Sequence, residues 1–255
     1  MLKKRFIPAI IVKDNIAVQS FAYSKYLPLG SPLIMVENYN RWNADEILVQ
    51  SIDRTKLNLG PDFKLLNEIS SKKINTPLIY GGGIRSVSEA KEVIKFGADR
   101  IIIGDLFLKK PNIIKNISEI IGEQAIIISL PVVKIQKLLF IYDYLTKQKI
   151  ELKEFFYKNN LVDSSFEFMI SDINNEGSRG KFDMDIIKNN IIKKNIIVFG
   201  GINPEKNLSK IYKYKNISAV CVGNFFSYSE HSYQKSLNQN KHKYLRQAYY
   251  SSKWI

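Results

Sequence analysis

The sequence predicts a (β/α)8 TIM barrel assembled from two similar half-barrels. Eight short β-branched runs alternate with amphipathic segments along 255 residues, a length that suits one large α/β barrel. Two apolar runs end in glycine turns that lead at once into helix starts, at Thr76-Pro77-Leu78-Ile79-Tyr80-Gly81-Gly82-Gly83-Ile84-Arg85 and Asn195-Ile196-Ile197-Val198-Phe199-Gly200-Gly201-Ile202-Asn203-Pro204. The halves also repeat, since the spacing from Gly83 to Gly201 nearly equals that from Gly104 to Gly223. Around the second pair, Ile101–Phe107 matches Val220–Phe226. Upstream, Ser51-Ile52-Asp53-Arg54 with Gly60-Pro61-Asp62-Phe63 parallels Ser171-Asp172-Ile173-Asn174 with Gly180-Lys181-Phe182-Asp183. An open doubly wound sheet is the alternative fold.

In chain order the strand candidates are Phe6–Val12, Glu46–Ser51, Pro77–Gly81, Arg100–Gly104, Ala125–Leu130, Phe166–Ser171, Ile196–Gly200 and Ala219–Gly223. Helical patterns are clearest at Pro61–Ser71, Ser86–Phe96, Tyr142–Tyr157, Asp183–Lys193 and Pro204–Tyr214. Ser86 with Glu89 reads as a capping box, and Asn203-Pro204 sets a cap residue before a proline at the first helical position. The reading is a single domain over 1–255, with half-barrels at about 1–122 and 123–230. A segment over 231–255, rich in tyrosine, closes the barrel in preference to forming a docking tail.

In such a barrel the glycine turns follow the third and seventh strands at the C-terminal face. There, free backbone N–H groups and helix N-termini favour anions. Two such turns on opposite sides of one mouth suit a ligand with a phosphate at each end, and two tight turns without a ligand are the plainer alternative.

Hydrophobic residues make up 45% of the chain, which marks it as globular. The net charge of +14 invites a nucleic-acid reading. However, the lysines are spread from Lys3 to Lys253 with no basic stripe interleaved with aromatics, so nucleic acid is not expected. An anionic small molecule gains from the same field. No apolar stretch reaches membrane-spanning length, no secretory signal is read at the start, and Cys221 is the single cysteine. A reducing, cytoplasmic setting is therefore expected. His231 and His242 are too far apart for a short metal motif, and no dinucleotide fingerprint follows Gly81-Gly82-Gly83. Neither metal nor cofactor is expected.

These motifs resemble the cyclase subunit of imidazole glycerol phosphate synthase. The resemblance rests on Arg5-Phe6-Ile7-Pro8, Ala44-Asp45-Glu46, Gly81-Gly82-Gly83-Ile84-Arg85-Ser86-Val87, Gly97-Ala98-Asp99, Asn175-Glu176-Gly177-Ser178 and Gly200-Gly201. The sister isomerase of that pathway shares the half-barrels, but the opening Arg-x-Ile-Pro and the Ala-Asp-Glu favour the cyclase. The resemblance implies a glutaminase partner at the bottom of the barrel and ammonia passing through it. It also implies a gate of four charged residues, at Arg5, Glu46, Arg100 and Glu167, where the family usually has lysine in place of Arg100. Asp99 matches a residue that contacts the glutaminase. Phosphate-binding positions fall on Gly82, Gly83, Gly177, Gly201, Gly223 and Asn224.

The mouth departs from the family. Its two acid/base aspartates fall at Ile11 and Pro131, the lysine of its mobile first loop at Gln19, and an asparagine after the fourth strand at Gly104. Neither isoleucine nor proline can transfer a proton, so no catalytic role is carried onto this chain. The combination resembles divergent members that deliver ammonia for making an acetamidino group on a bacterial surface sugar, beside a glutaminase and a separate ATP-dependent amidotransferase. Two alternatives stay open. One is a working histidine-pathway cyclase whose acids are drawn from Asp53, Asp105 or Asp172. The other is a non-catalytic binder of a phosphorylated ligand that activates its partner without a tunnel.

Overall fold

A computed structural model describes residues 3–161, 165–189, 191–193, 195–228, 231–240 and 245. Among these residues twelve strands form one sheet: β1 (Arg5–Lys13), β2 (Ile16–Phe21), β3 (Lys25–Gly30), β4 (Ile47–Ser51), β5 (Leu78–Gly81), β6 (Arg100–Ile103), β7 (Ile126–Ile135), β8 (Leu138–Tyr142), β9 (Lys149–Glu151), β10 (Glu167–Asp172), β11 (Ile196–Phe199) and β12 (Ile217–Val222). Eight of them pair in parallel in the order β10-β11-β12-β1-β4-β5-β6-β7, and β10 pairs with β7 to close the cylinder. This is the (β/α)8 barrel the sequence predicts.

Alternation along each strand sorts side chains into two cores. Phe6, Ile10 and Val12 of β1 point outward into the layer shared with the helices, while Ile7, Ala9 and Ile11 point inward. The interior is filled by Leu48, Ile79, Ile102, Ile127, Met169, Ile197, Ala219 and Cys221, all buried. The barrel axis is therefore apolar between its two ends.

The remaining strands are two antiparallel extensions that the sequence pattern does not separate. The β2–β3 hairpin hangs from β1, and β8 with β9 hangs from β7. The helix expected over Tyr142–Tyr157 is a correction. Only Leu152–Lys158 is helical, because Asp143 accepts the N–H groups of Leu145 and Thr146 and turns the chain from β8 toward β9. The helix expected over Asp183–Lys193 shrinks to Asp185–Lys188. Helices at Pro32–Arg41, Asp105–Lys109 and Ile113–Ile121 add to those expected.

Helix starts follow the cap residues. Ser86 Oγ accepts from Glu89 N (3.1 Å) and Asn203 Oδ1 from Glu205 N (2.9 Å). The Glu89 carboxylate takes the N–H of Arg85 rather than that of the cap itself. Helix Ser232–Asn240 seats Tyr233, fully buried, against Phe6, Trp42 and Phe226 beside the outside of β1. His242, Tyr244, Tyr249, Tyr250 and Trp254 lie outside the described residues.

Candidate functional site: a charged ring below and an altered mouth above

At the N-terminal end of the barrel, Arg5, Arg100 and Glu167 are the first residues of β1, β6 and β10, and Glu46 stands just before β4. Their side chains form a closed ring. Arg5 Nη1 donates to Glu46 Oε2 (2.7 Å) and Arg5 Nη2 to Glu167 Oε1. Arg100 Nη1 reaches Glu46 Oε1 (3.3 Å) and Arg100 Nη2 reaches Glu167 Oε2 (2.7 Å). Each arginine holds both glutamates, so the ring is neutral and every charge is shared. The four side chains are 9–18% exposed. Ser218 donates to Glu167, and Arg100 Nε donates to the Gln124 carbonyl (2.8 Å).

Two aspartates adjoin the ring and fix its strands. Asp45 Oδ2 accepts from Phe6 N (2.8 Å) and Asp99 Oδ2 from Leu78 N (2.7 Å). Asp99 is exposed as well, so its backbone role leaves it on the bottom surface.

Burial opposes the charge on Glu167. Even so, Arg5, Arg100 and the Ser218 hydroxyl together hold the carboxyl below its ordinary value. A depressed carboxylate pKa adds stability that is present above the unfolded value and lost as pH falls through the folded one. We expect unfolding free energy from urea titrations to drop below about pH 4.5, and Glu167→Gln to lose that part of the slope.

The opposite end opens into a cavity of about 400 Å³. Its floor carries Gln50, Ser129, Ser171 and Pro131, and its walls carry Tyr23, Tyr26, Tyr142 and Tyr144. Gln50 Oε1 is buried there without a hydrogen-bond partner among the described residues. Pro131 thus faces the cavity, paired with Ser171 across β7 and β10. Ile11 is 3% exposed inside the apolar interior, beside Gln50 of β4 and Val18 of β2. Gln19 lies in β2 opposite Leu27 and is mostly buried. Neither Ile11 nor Pro131 can transfer a proton.

The three alternative acids are differently placed. Asp53 accepts the Asp14 N–H (2.8 Å) and ties the first hairpin down. Asp172, 2% exposed, accepts from Asn175 N, Asn175 Nδ2 and Asp183 N, which organises the loop after β10. Asp105 lines the cavity beside Gly104 and pairs with Lys109 (2.9 Å). Of the three, Asp105 alone borders the mouth.

The glycine turns obey the sequence repeat. A Cβ on Gly83 (φ 74°) would lie 2.2 Å from the Gly60 carbonyl oxygen, and one on Gly201 (φ 67°) 2.5 Å from that of Asn175. Both positions demand glycine for packing alone. Gly83→Ala is expected to lower unfolding stability by about 1–3 kcal/mol in a denaturant titration, ligand or no ligand.

Gly82 and Gly104 line the large cavity, but Gly83 N already donates to Thr55 Oγ1 (3.0 Å). Gly177, Gly201, Gly223 and Asn224 converge on a separate hollow of about 20 Å³, room for roughly one water. The β2–β3 hairpin covers that hollow. Asn224 Nδ2 donates to the Ser20 carbonyl (2.6 Å), Ser20 N donates to Asn224 Oδ1 (3.2 Å), and the Glu176 carboxylate accepts from Ser20 Oγ and Tyr23 N (both 3.0 Å). Burial pushes the Glu176 carboxyl up, against the pull of these hydrogen bonds. The four tyrosines of the mouth escape sequence reasoning because the hairpins that carry them have no motif. Their only signal is the pairing Tyr23/Tyr26 and Tyr142/Tyr144.

Among the described residues no group of three or more His, Cys, Asp or Glu could hold a metal ion, and no helix is long and apolar enough to cross a membrane.

Comparison with known proteins agrees with this geometry. The chain is 29% identical over 235 residues to a provisionally assigned imidazole glycerol phosphate synthase subunit, hisF2, of Vibrio vulnificus strain YJ016, covering 91% of this chain and 86% of that protein. It is 28% identical over 247 residues to imidazole glycerol phosphate synthase subunit HisF of Staphylococcus saprophyticus, covering 94% and 96%. A provisionally assigned HisF of Leptospira interrogans is 26% identical over 234 residues, covering 89% and 91%. The model of the family described as histidine biosynthesis protein matches residues 5–232, and with a closed barrel, paired glycine turns and nearly full coverage the chain belongs to that family as a divergent relative of the cyclase subunit.

Proposed function

We propose that this chain is the barrel subunit of a glutamine-dependent amidotransferase system. A glutaminase docks at the ring end, and ammonia passes along the barrel axis to the mouth. A separate ATP-dependent enzyme uses it there to amidinate a bacterial surface sugar. The observation that carries this reading is the contrast between the two ends. The charged ring is complete, whereas Ile11 and Pro131 stand where the cyclase chemistry needs acids. The walls between them suit the cargo. The apolar side chains packed along the axis, among them Ile79, Ile127, Ile197 and Ala219, disfavour ammonium, whose burial without a partner is costly, and admit neutral ammonia as they move apart. The ring then opens by exchanging ion pairs, since each charge keeps one partner while releasing the other. Gly82, which lines the cavity, retains some capacity for an anion at the mouth, whereas Gly177, Gly201, Gly223 and Asn224 surround a hollow too small for a phosphate, and the Gly83 N–H is taken by Thr55.

The test is reconstitution with the candidate glutaminase and amidotransferase, comparing glutamine with free ammonium. The chain is expected to be required with glutamine and dispensable with ammonium. Absence of co-purification with any glutaminase, together with ring variants that leave glutamine-dependent amidation unchanged, would sink the reading.

A second reading, a working cyclase of histidine synthesis, is favoured by the names of the relatives and by Asp105 at the cavity edge. Rescue of a cyclase-deficient strain that requires histidine would establish it.

A further inference from the structure

Exposed large apolar side chains gather at the mouth end of this molecule. Leu27 and Leu29 project from the β2–β3 hairpin, Leu57 and Leu59 from the loop after β4, and Ile135 and Leu138 from the β7–β8 turn. Their exposures run from 39% at Leu29 to 56% at Leu57 on the scale where a free side chain is fully exposed. All three segments leave the C-terminal ends of barrel strands, and the hairpin and the loop after β4 also line the cavity, through Tyr23, Tyr26, Thr55 and Lys56. Tyr144, also exposed, both lines the cavity and joins this rim. The other large exposed apolar residues among those described, apart from Ile16 on the same hairpin, sit singly on helices: Ile34, Ile120 and Tyr157. Apolar side chains concentrated on one face mark an interaction surface.

Charge sharpens the identity of what covers it. Lys25, Lys56 and Lys137 are exposed in the same segments and Lys147 in the β8–β9 turn that carries Tyr144, and none of the four makes an ion pair among the described residues. The nearby acids are engaged within the chain, Asp14 with Lys13, Asp105 with Lys109, and Asp143 with the backbone of its own turn. The face therefore offers apolar contacts and unmatched positive charge. A protein surface with an apolar centre and an acidic rim complements it. A membrane fits less well, because the middle of the face is a cavity floored by Gln50, Ser129 and Ser171, whose polar groups an acyl layer would seal without partners.

Resting on the conduit reading above, we propose that this rim is the docking face for the ammonia-consuming, ATP-dependent synthetase. Ammonia released into open water at neutral pH is protonated and ceases to be a nucleophile. The mouth contains no acid or base at Ile11 or Pro131 to use it on the spot. A synthetase seated on Leu27, Leu57 and Leu138 closes the exit and receives ammonia un-ionised. The acidic rim of the synthetase meets the four lysines.

The experiment places a photo-crosslinking amino acid at Leu57, at Leu138 and, as an off-face control, at Ile34, in the cells that make this chain. Adducts are identified by mass spectrometry. The cross-linked protein is then purified and assayed with ATP and with ammonium or glutamine as nitrogen source. Adducts at Leu57 and Leu138, but not Ile34, with a synthetase that uses ammonium directly support the proposal. In the purified system, Leu57→Glu/Leu59→Glu and Ile135→Glu/Leu138→Glu are expected to weaken synthetase binding about tenfold or more. Glutamine-driven output falls with it, while the glutaminase complex and the synthetase's ammonium-driven output are unchanged. Because these side chains are exposed, the variants keep the parent's melting temperature.

The proposal is overturned by adducts with a second copy of this chain or with the glutaminase, or by no adduct. It is also overturned by rim-dependent binding to phosphatidylglycerol vesicles, or by charge variants that bind the synthetase like the parent. Rim-dependent binding with ring variants that leave glutamine-driven output intact would sink the conduit and spare the docking face. The reverse pattern would sink the docking face alone.

Discussion

Arg5→Leu is expected to lower unfolding stability by about 3–5 kcal/mol and Tm by on the order of 10 °C, read by urea titration and calorimetry. Arg5 is the partner of both ring glutamates. Without it, two carboxylates that are about one-tenth exposed must share Arg100, and the ring carries an uncompensated negative charge. The informative comparison is the variant in which all four members are apolar, Arg5→Met, Glu46→Leu, Arg100→Met and Glu167→Leu. A neutral set of buried charges replaced as a whole by packed hydrophobic residues is often neutral or even stabilising, by about 1–4 kcal/mol. The single variant should therefore be fragile and the quadruple one robust. Both should lose glutamine-driven transfer while the partner synthetase still works on ammonium. If the quadruple variant keeps full glutamine-driven output, the ring is not a gate.

The ring was legible because the resemblance to the cyclase subunit pointed to Arg5, Glu46, Arg100 and Glu167, and the strand pattern put each of them at a strand start. The mouth was not legible. Residues 16–30 match none of the strand or helix candidates, and Pro28 and Gly30 interrupt their apolar run. They form a hairpin because Asn224 and Glu176 hold its backbone from distant parts of the chain, while Asp53 holds the turn that leads into it. Residues 142–151 show an amphipathic period that suits a helix as well as two short strands. The choice is made by the Asp143 turn and by pairing of β8 with β7. The glycine turns were found at once, but their strongest requirement is packing against the Gly60 and Asn175 carbonyls rather than a ligand. Local pattern fixes the barrel, and long-range hydrogen bonds shape what covers it.

Purified with a glutaminase, the chain is expected to show cyclase turnover at least about 10⁴-fold below an active cyclase, since two acid/base groups that each commonly supply ~10²–10⁴-fold are missing. It should not rescue a histidine-requiring, cyclase-deficient strain. Restoring the carboxylates should not restore the reaction. In Ile11→Asp the new carboxyl would sit among Ala9, Val18 and the rest of the apolar interior, where desolvation drives its pKa up and favours the neutral acid. Pro131→Asp would reach the cavity, but the second anion hollow stays at about 20 Å³ beneath the β2–β3 hairpin, too small for a phosphate. A bisphosphorylated substrate then has at most one seat, and correct acids without correct positioning lose the larger share of catalysis. The double variant is therefore expected to remain inactive as a cyclase. To regain activity it would also need the hairpin released from Asn224 and Glu176. Cyclase turnover by the parent chain, or by the double variant with the hairpin contacts intact, would overturn this account of the mouth.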